Sequence, residues 1–305
     1  MNKETRIRNL CVPNRIVDAV LDTDAYNEID DQYAIAYMLR SKERINTQAI
    51  YAAPFKNSKS KSAGDGMLKS YDEIGKILFL MGESVPYFKG SERFLPDEST
   101  PVISEAAEDI VRRAREHSPD DPLYIVALGA ITNVASAILL DECVRTNCVV
   151  IWLGGHARHY HDTKEFNLRG DVAAARVVIG SRVPFVQLPC NGVVSAFRVS
   201  GPELEYWFRG HGPLADYLAD NTIAEAESYH KGEPWTRCIW DVTAVAYLLN
   251  DGDRFMCTTL APTMLPTYDY AYEEMKNASL QAYVYFIKRD QLFMDMVERL
   301  TREDK

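Results

Sequence analysis

Short apolar runs alternate with amphipathic stretches along the first two-thirds of the chain, and that alternation leaves few folds open. Strand-like runs fall at 16–21, 48–53, 86–89, 123–128, 149–153 and 184–188. Helical patterns fall between them at 30–40, 66–82, 104–117, 132–140 and 172–180. Strands separated by helices predict an α/β protein with an open, mostly parallel central sheet flanked by helices on both faces. From about 200 to 234 the chain reads as polar helix with breaks at 210–213 and 232–234; a helix resumes at 241–249 and a last one covers 291–300. No linker interrupts the pattern, so residues 1–305 read as one domain, a length one core can serve.

In open α/β sheets ligands collect at the carboxyl ends of the strands. The segment D-T-D-A-Y-N-E-I-D-D at 22–31 lies at such an end, with Asp22 and Asp24 closing the first strand and Asp30 and Asp31 opening the next helix. The bland interpretation is a helix cap plus solvated loop carboxylates. Against it, the two pairs are joined by a short loop directly after a buried strand, so they converge. Four converging carboxylates repel one another unless a cation joins them, and an all-oxygen set selects Ca²⁺ or Mg²⁺ over zinc. The segments G-A-I-T-N at 129–133 and G-G at 154–155, with Glu165, Asn167 and Asp171 downstream, follow two further strands.

These motifs resemble the nucleoside hydrolase family of the inosine/uridine-preferring type. That family has D-x-D-x-x-x-D-D after its first strand, and this chain has it with two extra residues. V-A-L-G-A-I-T-N-V-A at 126–135, E-F-N at 165–167, D-V-A-A-A at 171–175 and D-V-T-A-V-A-Y-L-L at 241–249 are similar to its later motifs, in the same order. The resemblance implies the nucleoside hydrolase fold and Ca²⁺-dependent hydrolysis of the N-glycosidic bond of ribonucleosides. It implies that Asp24 ligates Ca²⁺ and takes a proton from the attacking water. Asp31, Asp241 and the Thr132 carbonyl complete the protein's metal ligands. Asp30 and Asn167 hold the ribose 2′- and 3′-hydroxyls, Glu165 the 5′ end, and Asp22 supports the cluster. It also implies a homodimer or homotetramer.

Three positions depart from the family pattern. Well-known members carry a His acid where this chain has Trp240, whose indole cannot donate a proton near neutral pH. Some relatives with Trp there act on 6-oxopurine nucleosides, which implies that Trp240 stacks on the base and favours purines. A core Trp is the competing interpretation. Trp235, Tyr229, His230 and Tyr26 are the candidates for a second stacking group. The loop 25–29 lacks the usual tight turn, and A-R-H-Y-H-D-T-K at 157–164 puts His159 nearest to a family Asn. The loss of the His acid leaves an alternative open: a catalytically inactive ribose- or nucleoside-binding protein that retains the metal site. D-T-D also resembles the nucleophile motif of haloacid dehalogenase-type phosphatases, but Tyr26 occupies the place of the Thr or Val that chemistry needs.

A net charge of −10 argues against a nucleic-acid partner, which needs clustered Lys and Arg. Six scattered cysteines form no zinc spacing, and no apolar run approaches a membrane span. Both features fit a cytoplasmic protein with reduced thiols, acting on a small nucleoside and not on a membrane.

Overall fold

The structure is a computed structural model that describes residues 1–302. Eight strands form one sheet: β1 (Val17–Thr23), β2 (Ile45–Ala52), β3 (Tyr87–Lys89), β4 (Leu123–Ala127), β5 (Cys148–Leu153), β6 (Phe185–Leu188), β7 (Met256–Pro262) and β8 (Leu280–Ile287). Their order across the sheet is β3-β2-β1-β4-β5-β6-β8-β7. All neighbours from β3 to β8 run parallel; only β7 is antiparallel, on the edge beyond β8. β4, β5 and β6 are buried at every position, as parallel strands covered on both faces must be.

Successive strand residues face opposite layers, so Val20 and Leu21 serve different cores. Leu21, Ile50, Val126 and Ile151 pack with the helices Asp31–Leu39, Ala63–Met81, Val242–Ala246 and Arg289–Leu300. Val20, Ile125, Val150 and Trp152 pack with Glu105–Glu116, Thr132–Leu140 and Val172–Gly180. The expected elements are present, with four amendments, the first being that the strand expected at 48–53 runs over Ile45–Ala52. The helix expected from Gly66 begins at Ala63, where the Ser62 hydroxyl accepts the Asp65 N–H at 3.0 Å. An N-terminal helix, Lys3–Asn9, was too short and polar to show in the pattern. β8 lies inside the sheet although it comes last in the chain.

The chain leaves β1 for β2 and β3 on one side, then crosses to β4 on the other. Such a reversal opens a crevice at the carboxyl ends of the two strands. Here it lies between β1 and β4, which pair Asp22 with Ala127. The helix Asp31–Leu39 is buried along its whole length, with Tyr33 donating to the Leu218 carbonyl at 3.0 Å and Tyr37 to Asp295 at 2.5 Å. Its amino end therefore sits in the interior, at the crevice. Among the described residues no helix is long and apolar enough to cross a membrane, and all six cysteines are free, Cys148, Cys190 and Cys238 being buried.

Candidate active site

β1 carries Asp22 to the floor of the crevice and Asp24 follows it in. One Asp22 oxygen accepts the Asn133 amide at 2.8 Å; the other has no partner. Burial pushes the Asp22 carboxyl up to about 7. Asn133 also donates to the Ala52 carbonyl at 3.2 Å and accepts from the Ser91 N–H and hydroxyl, both at 2.8 Å. The Asn of G-A-I-T-N thus bolts β1, β2 and the segment after β3 together beneath the acids. Asp24 lies against Gly129, where an added Cβ would come within 3.0 Å of the carboxylate carbon, so only glycine lets the two approach. One Asp24 oxygen is buried without a partner.

Asp30, Asp31 and Asp241 each present an oxygen within 4.8 Å of the others, and all three are buried. Asp30 occupies the N-cap position but its side chain caps nothing; it accepts the Asp241 main-chain N–H at 3.3 Å. This corrects the reading of the acidic pair as helix caps and removes the bland interpretation of the cluster. Asp31 accepts the Thr23 hydroxyl. Burial, and then the charges of neighbouring carboxylates, hold Asp24, Asp30 and Asp241 well above the usual range. Burial raises Asp31 to about 6 against the pull of Thr23. Buried carboxylates at this spacing need protons or a cation. The orphaned oxygens of Asp22 and Asp24 and the all-oxygen donor set fit a hard divalent ion.

Above the acids is a cavity of about 360 Å³, within the range of small-molecule sites. Asn167 lines it, with its amide donating to the Leu128 and Leu153 carbonyls at the ends of β4 and β5. Both amide hydrogens are used, so it can meet a ligand only through its carbonyl oxygen. Glu165 accepts the main-chain N–H groups of Asn167, Leu168 and Gly155 at 2.8, 2.9 and 3.0 Å. Burial raises its pKa and those three donors oppose the rise. Thr132 opens the helix after β4 and donates its hydroxyl to Asp171 at 2.7 Å; the ligand role that the resemblance implies falls to its main-chain carbonyl.

The sequence model of the inosine-uridine preferring nucleoside hydrolase family matches residues 19–295. The chain belongs to that family. Its members are N-ribohydrolases acting on N-glycosyl compounds, and they are metal-dependent. A plant nucleoside hydrolase superposes with a TM-score of 0.75 at 17% identity, over 94% of this chain and 99% of that one. An inosine-guanosine nucleoside hydrolase gives 0.74 at 15%, over 94% and 99%. A purine-preferring ribonucleoside hydrolase from Gardnerella vaginalis gives 0.74 at 16%, over 93% and 98%. A search of the curated proteins found no match.

Within this nucleoside hydrolase fold the departures have definite places. Trp240 is half-buried and lines the cavity next to Asp241. The four residues considered as its stacking partner do not line that cavity. Trp235 lies over Gly201, Tyr26 turns to solvent, and Tyr229 and His230 line an adjoining space of about 380 Å³. Phe166 and His156 line it instead. His156, not His159, is the loop histidine at the site; it accepts the Asn191 N–H at 3.3 Å, and burial lowers its pKa. His159 packs beside Gly192. The loop 25–29 contributes Asn27 and Glu28, and Asn57 donates to Asn27 at 2.7 Å from the side. Phe166 was within reach of sequence reasoning, since it sits between Glu165 and Asn167. His156, Cys190 and Asn191 carried no such signal.

Proposed function

We propose that the protein is a Ca²⁺-dependent, purine-preferring nucleoside N-ribohydrolase that releases ribose and the free base. The observation that carries this reading is the buried Asp30–Asp31–Asp241 trio at the floor of a nucleoside-sized cavity, with an unpartnered Asp24 oxygen beside it. Asp24, Asp31, Asp241 and the Thr132 carbonyl would hold the ion. When bound, Ca²⁺ lowers the pKa of water, orients the sugar hydroxyls and keeps the carboxylates ionised.

Asp24, buried beside the acidic trio and kept ionised with it, takes the proton of the attacking water. Asp30 accepts one ribose hydroxyl and the Asn167 carbonyl oxygen another; Glu165 lies at the 5′ end. As the C1′–N bond breaks, positive charge develops at C1′, and the nearby carboxylates stabilise it. Trp240 stacks on the base and favours a purine, whose ring nitrogens accept the leaving proton. The same reading makes the protein a single-domain, cytoplasmic homodimer or homotetramer. Reduced thiols support the location, and light scattering tests the assembly.

The deciding assay incubates the protein and Ca²⁺ with inosine, guanosine, adenosine, uridine and cytidine and measures reducing sugar. Release greatest with purines and lost in Asp24→Ala is expected. No release from any of the five, with ribose still bound in a calorimeter, would replace the enzyme by a ribose-binding protein, which the absence of a His acid at Trp240 makes the serious rival.

A further inference from the structure

Six carboxylates line the cavity, yet so do two permanent cations, Lys164 and Arg169. Among the described residues neither is paired with a carboxylate. The Lys164 ammonium lies 5.5 Å from the Tyr270 ring centre, and the Arg169 guanidinium 5.3 Å from that of Phe166. The contrast with the other wall is sharp: there Arg237 is shared between Glu28 at 3.1 Å and Glu225 at 2.9 Å, and Lys59 joins Glu225 at 2.8 Å. Lys164 and Arg169 are thus exposed charges on the lining of a binding cavity that make no ion pair among the described residues.

Their position on the sugar follows from the 5′ place that the proposed reading gives Glu165. Lys164 precedes Glu165, and Arg169 donates its main-chain N–H to the Glu165 carbonyl at 2.8 Å, one helical turn on. With ribose over the acids and its base toward Trp240, this segment faces C5′. Glu165 itself is largely occupied, because its two oxygens already accept three main-chain N–H groups. The 5′ end therefore offers a committed carboxylate and two uncommitted cations. A neutral hydroxyl makes poor use of these. A phosphate suits them, since guanidinium and ammonium groups bind its oxygens through short charge-assisted hydrogen bonds.

We infer that the preferred substrate is a nucleoside 5′-monophosphate, with its phosphate held by Lys164 and Arg169. The inference rests on the N-ribohydrolase reading and its sugar orientation. The reaction stays balanced: water oxygen bonds to C1′, the C1′–N bond breaks with its electron pair going to the base, Asp24 takes a proton from water and passes it on to solvent, and the base takes one from solvent. The products are ribose 5-phosphate and the free base, and the phosphate ester is untouched.

The test compares inosine 5′-monophosphate with inosine in the Ca²⁺-loaded protein, following hypoxanthine, ribose 5-phosphate and inorganic phosphate. The expected kcat/KM is at least tenfold higher for the monophosphate, with no phosphate release ahead of the base. In K164A/R169A that ratio falls at least tenfold, and added salt lowers it in the parent protein through screening. Both side chains are exposed, so the variant is expected to fold, which circular dichroism verifies. A ratio at or below one in the parent, or one unchanged in the variant, overturns the inference. If neither compound is cleaved, calorimetry with ribose 5-phosphate and ribose separates the two ideas. Tighter binding of the phosphate that depends on Lys164 and Arg169 keeps the subsite and removes the hydrolase reading. Equal binding of the two sugars removes the subsite.

Discussion

Two buried acidic sites in this protein are treated in opposite ways. Asp109, on the helix Glu105–Glu116, accepts from Arg113 at 2.6 Å, from Arg112 at 3.0 Å and from the Tyr51 hydroxyl at 2.8 Å. Burial alone would raise its pKa, but these donors bring it below the ordinary value. The crevice acids are more deeply buried and lie beside one another, yet their partners are a hydroxyl, an amide and main-chain N–H groups. Their pKa values rise. A carboxylate kept for the fold is neutralised within the fold. One kept for a ligand is left in need of charge, and the difference marks the working site without reference to any relative.

The largest effect should separate the two sites by function. Asp24→Asn removes the proton acceptor while keeping its shape, and general-base loss lowers kcat on the order of 10³-fold. Asp109→Asn should leave kcat within about twofold while lowering the melting temperature. A comparable kcat loss in both variants, in proteins that remain folded, would erase the distinction.

Removing the ion tests the same contrast through pH. In chelated protein, carboxyl groups raised in the folded state stabilise it below their unfolded pKa of about 4. That stability is lost as pH rises through the folded values, about 7 for Asp22 and about 6 for Asp31. Asp109 has the opposite sign, stabilising above about 4 and losing that contribution as pH falls. Ca²⁺ at 100 times its dissociation constant adds about 2.7 kcal/mol, or roughly 4 °C for a chain of 305 residues. The gap between Ca²⁺-loaded and chelated melting temperatures should therefore widen from pH 4 to pH 7. A gap independent of pH over that window means the acids do not hold the ion.

The structural site supplies the next, smaller effect. Arg113→Ala leaves Arg112 and Tyr51 on Asp109, so the penalty falls below that of a fully orphaned buried charge, at about 2 kcal/mol by denaturant titration. Activity should be unchanged. A variant as stable as the parent would show that Arg113 adds nothing Arg112 cannot supply.

These differences were partly visible before any coordinates. The first strand, the acid pairs and the helix after them are local, and a buried strand followed at once by carboxylates reports a strand-end site. The convergence of Asp241 on Asp30 and Asp31 was legible only through the family motif, because residues 32–240, with the short ribbon of Arg198–Ser200 and Thr236–Cys238 among them, lie between. The interior place of β8 depends on long-range pairing with β6, which no local pattern encodes. The base-side wall was least legible. His156 and Asn191 meet across two loops, and loop register follows from packing and not from periodicity.

That wall makes the smallest prediction. The acid side of the cavity works through charge, which acts over several ångströms and tolerates little substitution. Trp240 offers surface and a π-face, with Phe166 and His156 also lining the cavity. Stacking adds about 1 kcal/mol beyond burial of area. Trp240→Phe keeps a smaller ring and should lower kcat/KM for purines about threefold, and Trp240→Ala about tenfold, with a weaker effect on uridine. The order Trp, Phe, Ala is the signature of stacking, because a group acting in proton transfer would be lost equally in both variants. Steady-state kinetics on inosine and uridine read it directly. Equal losses on the two nucleosides would mean that Trp240 shapes the cavity without choosing the base, and selectivity would then pass to Phe166 and His156.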